Sequence, residues 1–165
     1  MNNEPCSHRS AAGFTLVELL AVVAVLSIVM AIAAPSFSSF AANQRLRGAS
    51  TDLVTTLVAA RSEAIKRNAP VTVSAAGDGD SVNWGRGWTA VAAGGTQIDR
   101  RDVESGVVDG STAPASIVFD GSGRITTAGG ASIQLRDGRG GSMATPRCVT
   151  IDLAGRPRTT VGACS

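Results

Sequence analysis

A chain of 165 residues accommodates one domain beside a long helical segment and is too short for two independent domains. Its 44% hydrophobic content is inflated by one apolar run, and 19 Gly with no Tyr favour a small, turn-rich β structure in the remainder. The net charge of +2 assigns no partner by itself, and the only His, His8, leaves little material for nucleophile, base or metal chemistry.

Residues 1–13 form a short polar leader with Arg9 as a basic residue and Gly13 as its last. From Phe14 to Ala34 the chain is apolar or small except for Glu18, long enough to cross a bilayer as one helix of about 20 residues. A carboxylate near the middle of a spanning helix costs roughly 2.5–3.5 kcal/mol, so Glu18, which lies near one end of the run, needs a named partner. A secretory signal peptide would carry its small-residue cleavage site after the apolar stretch, whereas here the candidate site precedes it. Cutting after Gly13 would leave a free α-amino group on Phe14, one helical turn from Glu18, at the spacing where groups on a helix meet. A plain single-pass anchor is the alternative.

The stretch Gly13-Phe14-Thr15-Leu16-Val17-Glu18-Leu19-Leu20 resembles the signal of type IV prepilins and type II secretion pseudopilins. That resemblance implies a prepilin peptidase that cuts between Gly13 and Phe14 and N-methylates Phe14. It also implies that Glu18 pairs with a terminal amine during filament assembly, with other major and minor pilins as partners.

Pro35 lacks an N–H and would kink a helix without necessarily ending it. Leu46, Ala49, Leu53, Leu57, Ala60 and Ala64 then recur at three- and four-residue steps, predicting an amphipathic continuation over 36–69. Asn-Ala-Pro after a basic last turn predicts its end near Asn68. From Phe14 the helix would run on the order of 80 Å at 1.5 Å per residue.

The apolar stripe requires a sheet to cover it. Strands are predicted at 71–74, 87–92, 106–109, 116–120, 132–136, 148–153 and 158–161, most of them separated by Gly, Pro, Ser or Asp clusters. Residues 138–146 read as loop. Gly77-Asp78-Gly79-Asp80 reads as a turn; a calcium loop would need a third ligand where Val82 stands and a closing Glu. Trp84 and Trp88 admit base stacking, but their acidic flanks and the scarcity of other aromatics favour packing under the helix.

The run Ala60 to Asn68, followed by Val71-Thr72-Val73, Gly87-Trp88, and Ile117-Val118-Phe119 with Gly123, resembles the GspH/FimT branch of the pilin family. The resemblance implies an α+β type IV pilin fold, a long N-terminal helix packed on antiparallel β-sheet. The organisation becomes leader 1–13, transmembrane and filament-core helix 14–35, amphipathic continuation 36–69 and β-rich head 70–165.

Charge is unevenly spread along the head. Residues 71–120 hold three arginines against seven acids, a net of −4, whereas residues 121–165 hold six arginines against two aspartates, a net of +4. Arginine forks onto phosphate oxygens, so the C-terminal third admits an anionic partner. Cys6 would leave with the leader. Cys148 and Cys164 would close a loop of about 15 residues in an oxidising compartment, worth roughly 3 kcal/mol. Two free thiols or half of a metal site is the alternative, although no His follows His8 to complete a tetrahedral site.

Between these cysteines, Gly155 suits a tight turn and Pro157 fixes φ between Arg156 and Arg158, so a constrained hairpin would carry both guanidinium groups. Arg136, Arg139 and Arg147 are candidates to widen the patch. Phosphate contacts of this kind are sequence-independent and weaken with salt. The Gly-Arg-x-Arg pattern is similar to the motif by which FimT-like members bind DNA in natural transformation. The resemblance implies Arg156 and Arg158 as phosphate contacts on double-stranded DNA, with Gly155 shaping the turn. A structural minor pilin or GspH-like pseudopilin that starts or caps a filament is the other reading, in which the arginines form a solvated edge. No nucleotide-binding fingerprint, catalytic constellation, metal set or cofactor site is evident. The expected setting is the inner membrane with a periplasmic head, followed by a pilus or pseudopilus.

Overall fold

In the computed structural model the described residues are 14–77, 83–103, 106–109, 113–127, 129–139 and 144–164. The leader, Gly13, Cys6 and Asp78 to Val82 of the candidate calcium turn lie outside them, as does part of the 138–146 loop. The chain divides into two units, Met1–Phe37 and Ser38–Ser165, and helix α1, Leu16–Arg67, contributes to both.

In the first unit, Thr15 caps the helix: its Oγ1 accepts the Glu18 amide at 3.2 Å, the N-cap to N3 bond that satisfies one orphan donor of the first turn. The span Leu16–Ala33 has a mean hydropathy of 2.8 with none of it buried. A helix so apolar and so uncovered by its own chain is suited to lipid or to other apolar helices.

In the second unit α1 behaves as an ordinary amphipathic helix. The predicted stripe is the buried one: Leu46, Leu53, Leu57, Ala60 and Ala64 are each 0% exposed and Ala49 is 7% exposed. The helix stops at Arg67 because Asn68 turns left-handed, with φ 48°. The Asn68 amide then reaches the Ile65 carbonyl (3.2 Å) and the Ala69 amide the Ala64 carbonyl (3.2 Å), which is the Schellman geometry with Asn at the C′ position.

The strands that follow are β1 (Val71–Ala76), β2 (Asn83–Ala92), β3 (Gln97–Asp102), β4 (Val107–Asp109), β5 (Ser116–Phe119), β6 (Ala131–Asp137), β7 (Arg147–Ile151) and β8 (Pro157–Val161). They form two antiparallel sheets of order β3-β2-β1-β5 and β4-β6-β7-β8. The expected strands are present with shifted ends. β3 has no counterpart in the sequence reading: Gln-Ile-Asp-Arg-Arg-Asp lacks apolar alternation because β3 is an edge strand whose last three residues are exposed. Charges on an edge discourage pairing with another chain.

One continuous core joins the α1 stripe to both sheets, through Val71, Val73, Ile117 and Phe119 of the first and Ile133, Leu135, Val149 and Ile151 of the second. Trp84 and Trp88 are both 1% exposed within it, so packing rather than base stacking accounts for them. Each indole has its polar partner: Trp84 Nε1 donates to the Pro114 carbonyl (3.0 Å) and Trp88 Nε1 to Thr56 Oγ1 (3.0 Å). The Thr56 hydroxyl passes the chain on to Asp99 Oδ2 at 2.6 Å, which ties α1 to β2 and β3.

Candidate functional site

The basic hairpin is built on β7 and β8, which pair from Arg147 with Val161 to Ile151 with Pro157. Residues 152–156 make the turn, and Asp152 holds it together. Its carbonyl accepts the Gly155 amide (2.8 Å), Oδ1 accepts the Arg156 amide (3.0 Å), and Oδ2 accepts Arg156 Nε (2.8 Å). Gly155 supplies the left-handed φ of 73° that the reversal requires. These bonds stabilise the carboxylate, so the Asp152 carboxyl lies below the usual aspartate value, first because of the Arg156 amide and then, against some desolvation, its guanidinium.

Beyond the turn, Arg158 pairs with Thr150, which in turn pairs with Ser132 of β6. Side chains of directly paired residues share a face, so these three form a row across the sheet. Arg156 and Arg158 line one depression of about 440 Å³ together with Ser132, Thr150, Asp152 and the adjoining backbone at Gly129. Both arginines are exposed, and Arg156 keeps 60% of its side chain accessible despite its bond to Asp152. Two guanidinium groups beside two hydroxyls can receive an anionic oxygen cluster, with Arg in the forked geometry that suits phosphate.

The hairpin is fastened at its open end. Cys148 and Cys164 form a disulfide with Cα atoms 5.1 Å apart, and the Cys164 amide donates to Gln134 Oε1 of β6 at 3.2 Å. The alternatives of free thiols or a half metal site therefore fall away.

Of the remaining three arginines, Arg147 and Arg139 stand away from the pair, and Arg136 shares its face farther along β6. Arg147 has the same strand parity as the buried Val149 and Ile151, so it belongs to the opposite face from Arg158. Arg139 stands over Gly106 beside β4, where a Cβ on that glycine would lie 2.5 Å from Arg139 Nε. Because β4 and β8 are opposite edges of the sheet, Arg139 is at the far side. Arg136 shares the face of Ser132 but lies four residues along β6, on the order of 13 Å away at ~3.3 Å per residue.

The backbone of a different arginine, Arg124, comes close, although its side chain does not line the depression. The turn Asp120 to Arg124 touches the turn Asp152 to Arg156, because a Cβ on Gly155 would collide with the Gly123 carbonyl oxygen. The signal was available as a recurrence of Asp-x-x-Gly-Arg at 120–124 and 152–156.

At the other end of the chain Phe14 is 81% exposed and Glu18 is exposed one turn along.

Comparison with known proteins bears on most of the chain. The family described as type II transport protein GspH matches residues 49–155, and the prokaryotic N-terminal methylation motif matches residues 8–34. Among curated proteins none matches the chain in sequence. Among solved structures, the type IV minor pilin FimU of Pseudomonas aeruginosa strain PAO1 is similar, with a TM-score of 0.60 and 21% identity over 73% of this chain and 92% of that one. The minor pseudopilin EpsH from the type 2 secretion system of Vibrio cholerae is similar with a TM-score of 0.53 and 18% identity, covering 71% of this chain and 97% of that one. These likenesses extend the helix-and-antiparallel-sheet fold across both kinds of filament. The GspH match ends at Gly155, so it does not reach Arg156 or Arg158.

Proposed function

Since the chain belongs to the GspH family of type II transport proteins and carries the N-terminal methylation motif, we propose that this pilin-like protein serves a type IV pilus as a minor pilin of the FimT kind, capturing extracellular DNA for natural transformation. Its class is that of minor pilins and pseudopilins, membrane-anchored through the apolar helix and later part of a pilus or pseudopilus. The DNA-binding task is the step beyond that class.

The observation that carries it is the shared depression of Arg156 and Arg158, two exposed guanidinium groups, one on a turn braced by Asp152 and one on the strand that follows, in a hairpin closed by a disulfide. Preordered arginines lose less entropy on meeting phosphates than free ones. The depression is too small to admit a duplex and offers no helix for a base-reading groove contact, so the expected contact is with the phosphate backbone and is independent of sequence. In this reading residues 1–13 are removed by prepilin peptidase between Gly13 and Phe14, residues 14–35 enter the membrane and then the filament core, and Glu18 meets the methylated amine of Phe14. Residues 36–69 carry the helix onward into the 70–165 head.

One observation favours the purely structural alternative, a minor pilin or GspH-like pseudopilin that initiates a filament without touching DNA. The Arg156 guanidinium already has an internal partner in Asp152 at 2.8 Å, an arrangement that also suits a solvated edge. The test uses the full chain in detergent micelles, with fluorescence anisotropy of a labelled 30-base-pair duplex across a salt series. Binding that falls steeply with salt and is abolished in Arg156→Gln/Arg158→Gln supports DNA capture. Absence of binding by the parent at low salt, or an unaltered double variant, overturns it.

A further inference from the structure

The two arginine-bearing turns are made alike. In Asp120-Gly121-Ser122-Gly123-Arg124 and Asp152-Leu153-Ala154-Gly155-Arg156 the second-to-last amide donates to the Asp carbonyl at 2.8 Å, and Asp Oδ1 accepts the Arg amide at 3.0 Å. The Asp amide also reaches the Arg carbonyl, at 2.9 Å in the first turn and 3.4 Å in the second. Gly123 and Gly155 both adopt left-handed φ, 76° and 73°. The second turn rests on the first through Gly155 and the Gly123 carbonyl. That same carbonyl accepts Arg61 Nε of α1 at 3.0 Å, so the helix braces the pair of turns. Each arginine follows its glycine directly, and the backbone therefore holds Arg124 and Arg156 on adjacent turns of like shape.

The turns differ in what their carboxylates bind. Asp152 takes the Arg156 guanidinium, whereas Asp120 Oδ1 takes the Ser122 amide (2.8 Å) and the Ser122 hydroxyl (2.6 Å) in addition to the Arg124 amide. Among the described residues the exposed Arg124 guanidinium makes no hydrogen bond or ion pair. Arg124 keeps all five of its N–H donors for an anion, whereas Arg156 gives its Nε–H to Asp152 and keeps the remaining four.

We propose that Arg124 is a further phosphate-binding residue, and that it extends the Arg156 and Arg158 contact into a cationic track along the twin turns for the backbone of double-stranded DNA. This rests on the DNA-binding reading above. The chemistry fits because a duplex presents about one phosphate charge per 1.7 Å of axis, so a row of arginines on neighbouring turns meets successive phosphates rather than one. The neighbouring carboxylates, Asp120 and Asp152, are both engaged inside their turns.

The test compares the full chain in detergent micelles with Arg124→Gln, Arg124→Lys, Arg156→Gln/Arg158→Gln and, as a control on the exposed part of β2, Arg86→Gln. Affinity for a 30-base-pair duplex is measured by anisotropy from low to physiological salt, and circular dichroism melting verifies that each variant folds. Arg124→Gln is expected to weaken binding several-fold at low salt and to reduce the slope of log affinity against log salt by about 0.9, the share of one phosphate contact. Arg124→Lys should keep the slope, and Arg86→Gln should keep both slope and affinity. If Arg124→Gln keeps the parent's affinity and slope while Arg156→Gln/Arg158→Gln loses binding, the track is wrong and DNA capture stands. A loss in Arg86→Gln equal to that in Arg124→Gln also overturns the track, because general charge then explains both. If the parent binds no DNA, both proposals fall together.

Discussion

Gly155 packs its backbone onto the carbonyl of Gly123, leaving no room for a Cβ, which would also stand 3.3 Å from Phe119 Cε1. The contact joins the β7–β8 hairpin to the turn after β5, and so one sheet to the other. Gly155→Ala meets two penalties, the collision and a left-handed φ that costs an L-residue roughly 1–2 kcal/mol. The expected loss is about 2 kcal/mol or more, seen as a fall in melting temperature of roughly 5–10 °C. A melting temperature equal to the parent's would mean that the turns are not docked in solution.

The disulfide is expected to stabilise the second unit chiefly by restricting its unfolded chain. Cys148→Ser/Cys164→Ser should lose about 3 kcal/mol in chemical denaturation at neutral pH, with amide exchange rising first along β8, the edge strand. Adding reductant to the double variant should change nothing further. A double variant as stable as the oxidised parent would contradict this account.

Acid should loosen the twin turns. Asp120 is held below the ordinary aspartate value of 3.8, first by the Ser122 hydroxyl and then by the Arg124 amide, and Asp152 is lowered likewise by Arg156. Because both folded-state values are depressed, their stabilisation is complete above the unfolded value and is lost as pH falls through the lowered ones. Denaturation midpoints measured from pH 6 downward should decline below about pH 4. Asp120→Asn/Asp152→Asn should flatten that decline; an acid limb of unchanged steepness would assign it to other carboxylates.

The relay from Trp88 through Thr56 to Asp99 allows a clean comparison on one helix. Thr56→Val leaves the Trp88 N–H without its acceptor at a position 1% exposed, which should cost roughly 1–3 kcal/mol. Thr55→Val removes only a hydroxyl bonded to its own helix at the Thr51 carbonyl and should stay within about 0.5 kcal/mol of the parent. Equal effects from the two variants, measured by urea denaturation, would show that the buried relay contributes nothing.

At the N-terminus, Glu18→Val makes the apolar helix easier to insert while removing the proposed partner of the Phe14 amine. The variant is expected to remain membrane-bound and cleaved, as seen by fractionation and N-terminal sequencing, and to be missing from sheared filaments. Incorporation at the parent's level would remove Glu18 from assembly.

Much of the molecule was legible from residue order because the relevant forces are local or periodic. The Leu46-to-Ala64 stripe, the stop at Asn68, the apolar run around Glu18 and the turn at Gly155 each depend on neighbours within a few positions, and the structure has each of them. β3 escaped because an edge strand need not alternate; its hydrogen bonds come from β2 and its charges from solvent exposure.

Composition, helical periodicity and the motif around Gly13 and Phe14 thus determined the class of the protein: a membrane-anchored, pilin-like chain with a β-rich head. The charge split of the head and the Gly-Arg-x-Arg pattern singled out Arg156 and Arg158. Which arginines stand together was decided only by tertiary structure. Strand parity turned Arg147 to the other face, strand order sent Arg139 to the far edge, and the contact of Gly155 with Gly123 brought in Arg124 from a turn remote in sequence. Charge along a chain is additive and readable, but its grouping on a surface depends on pairing register and backbone packing between distant segments, and these are settled when the two sheets close over one core.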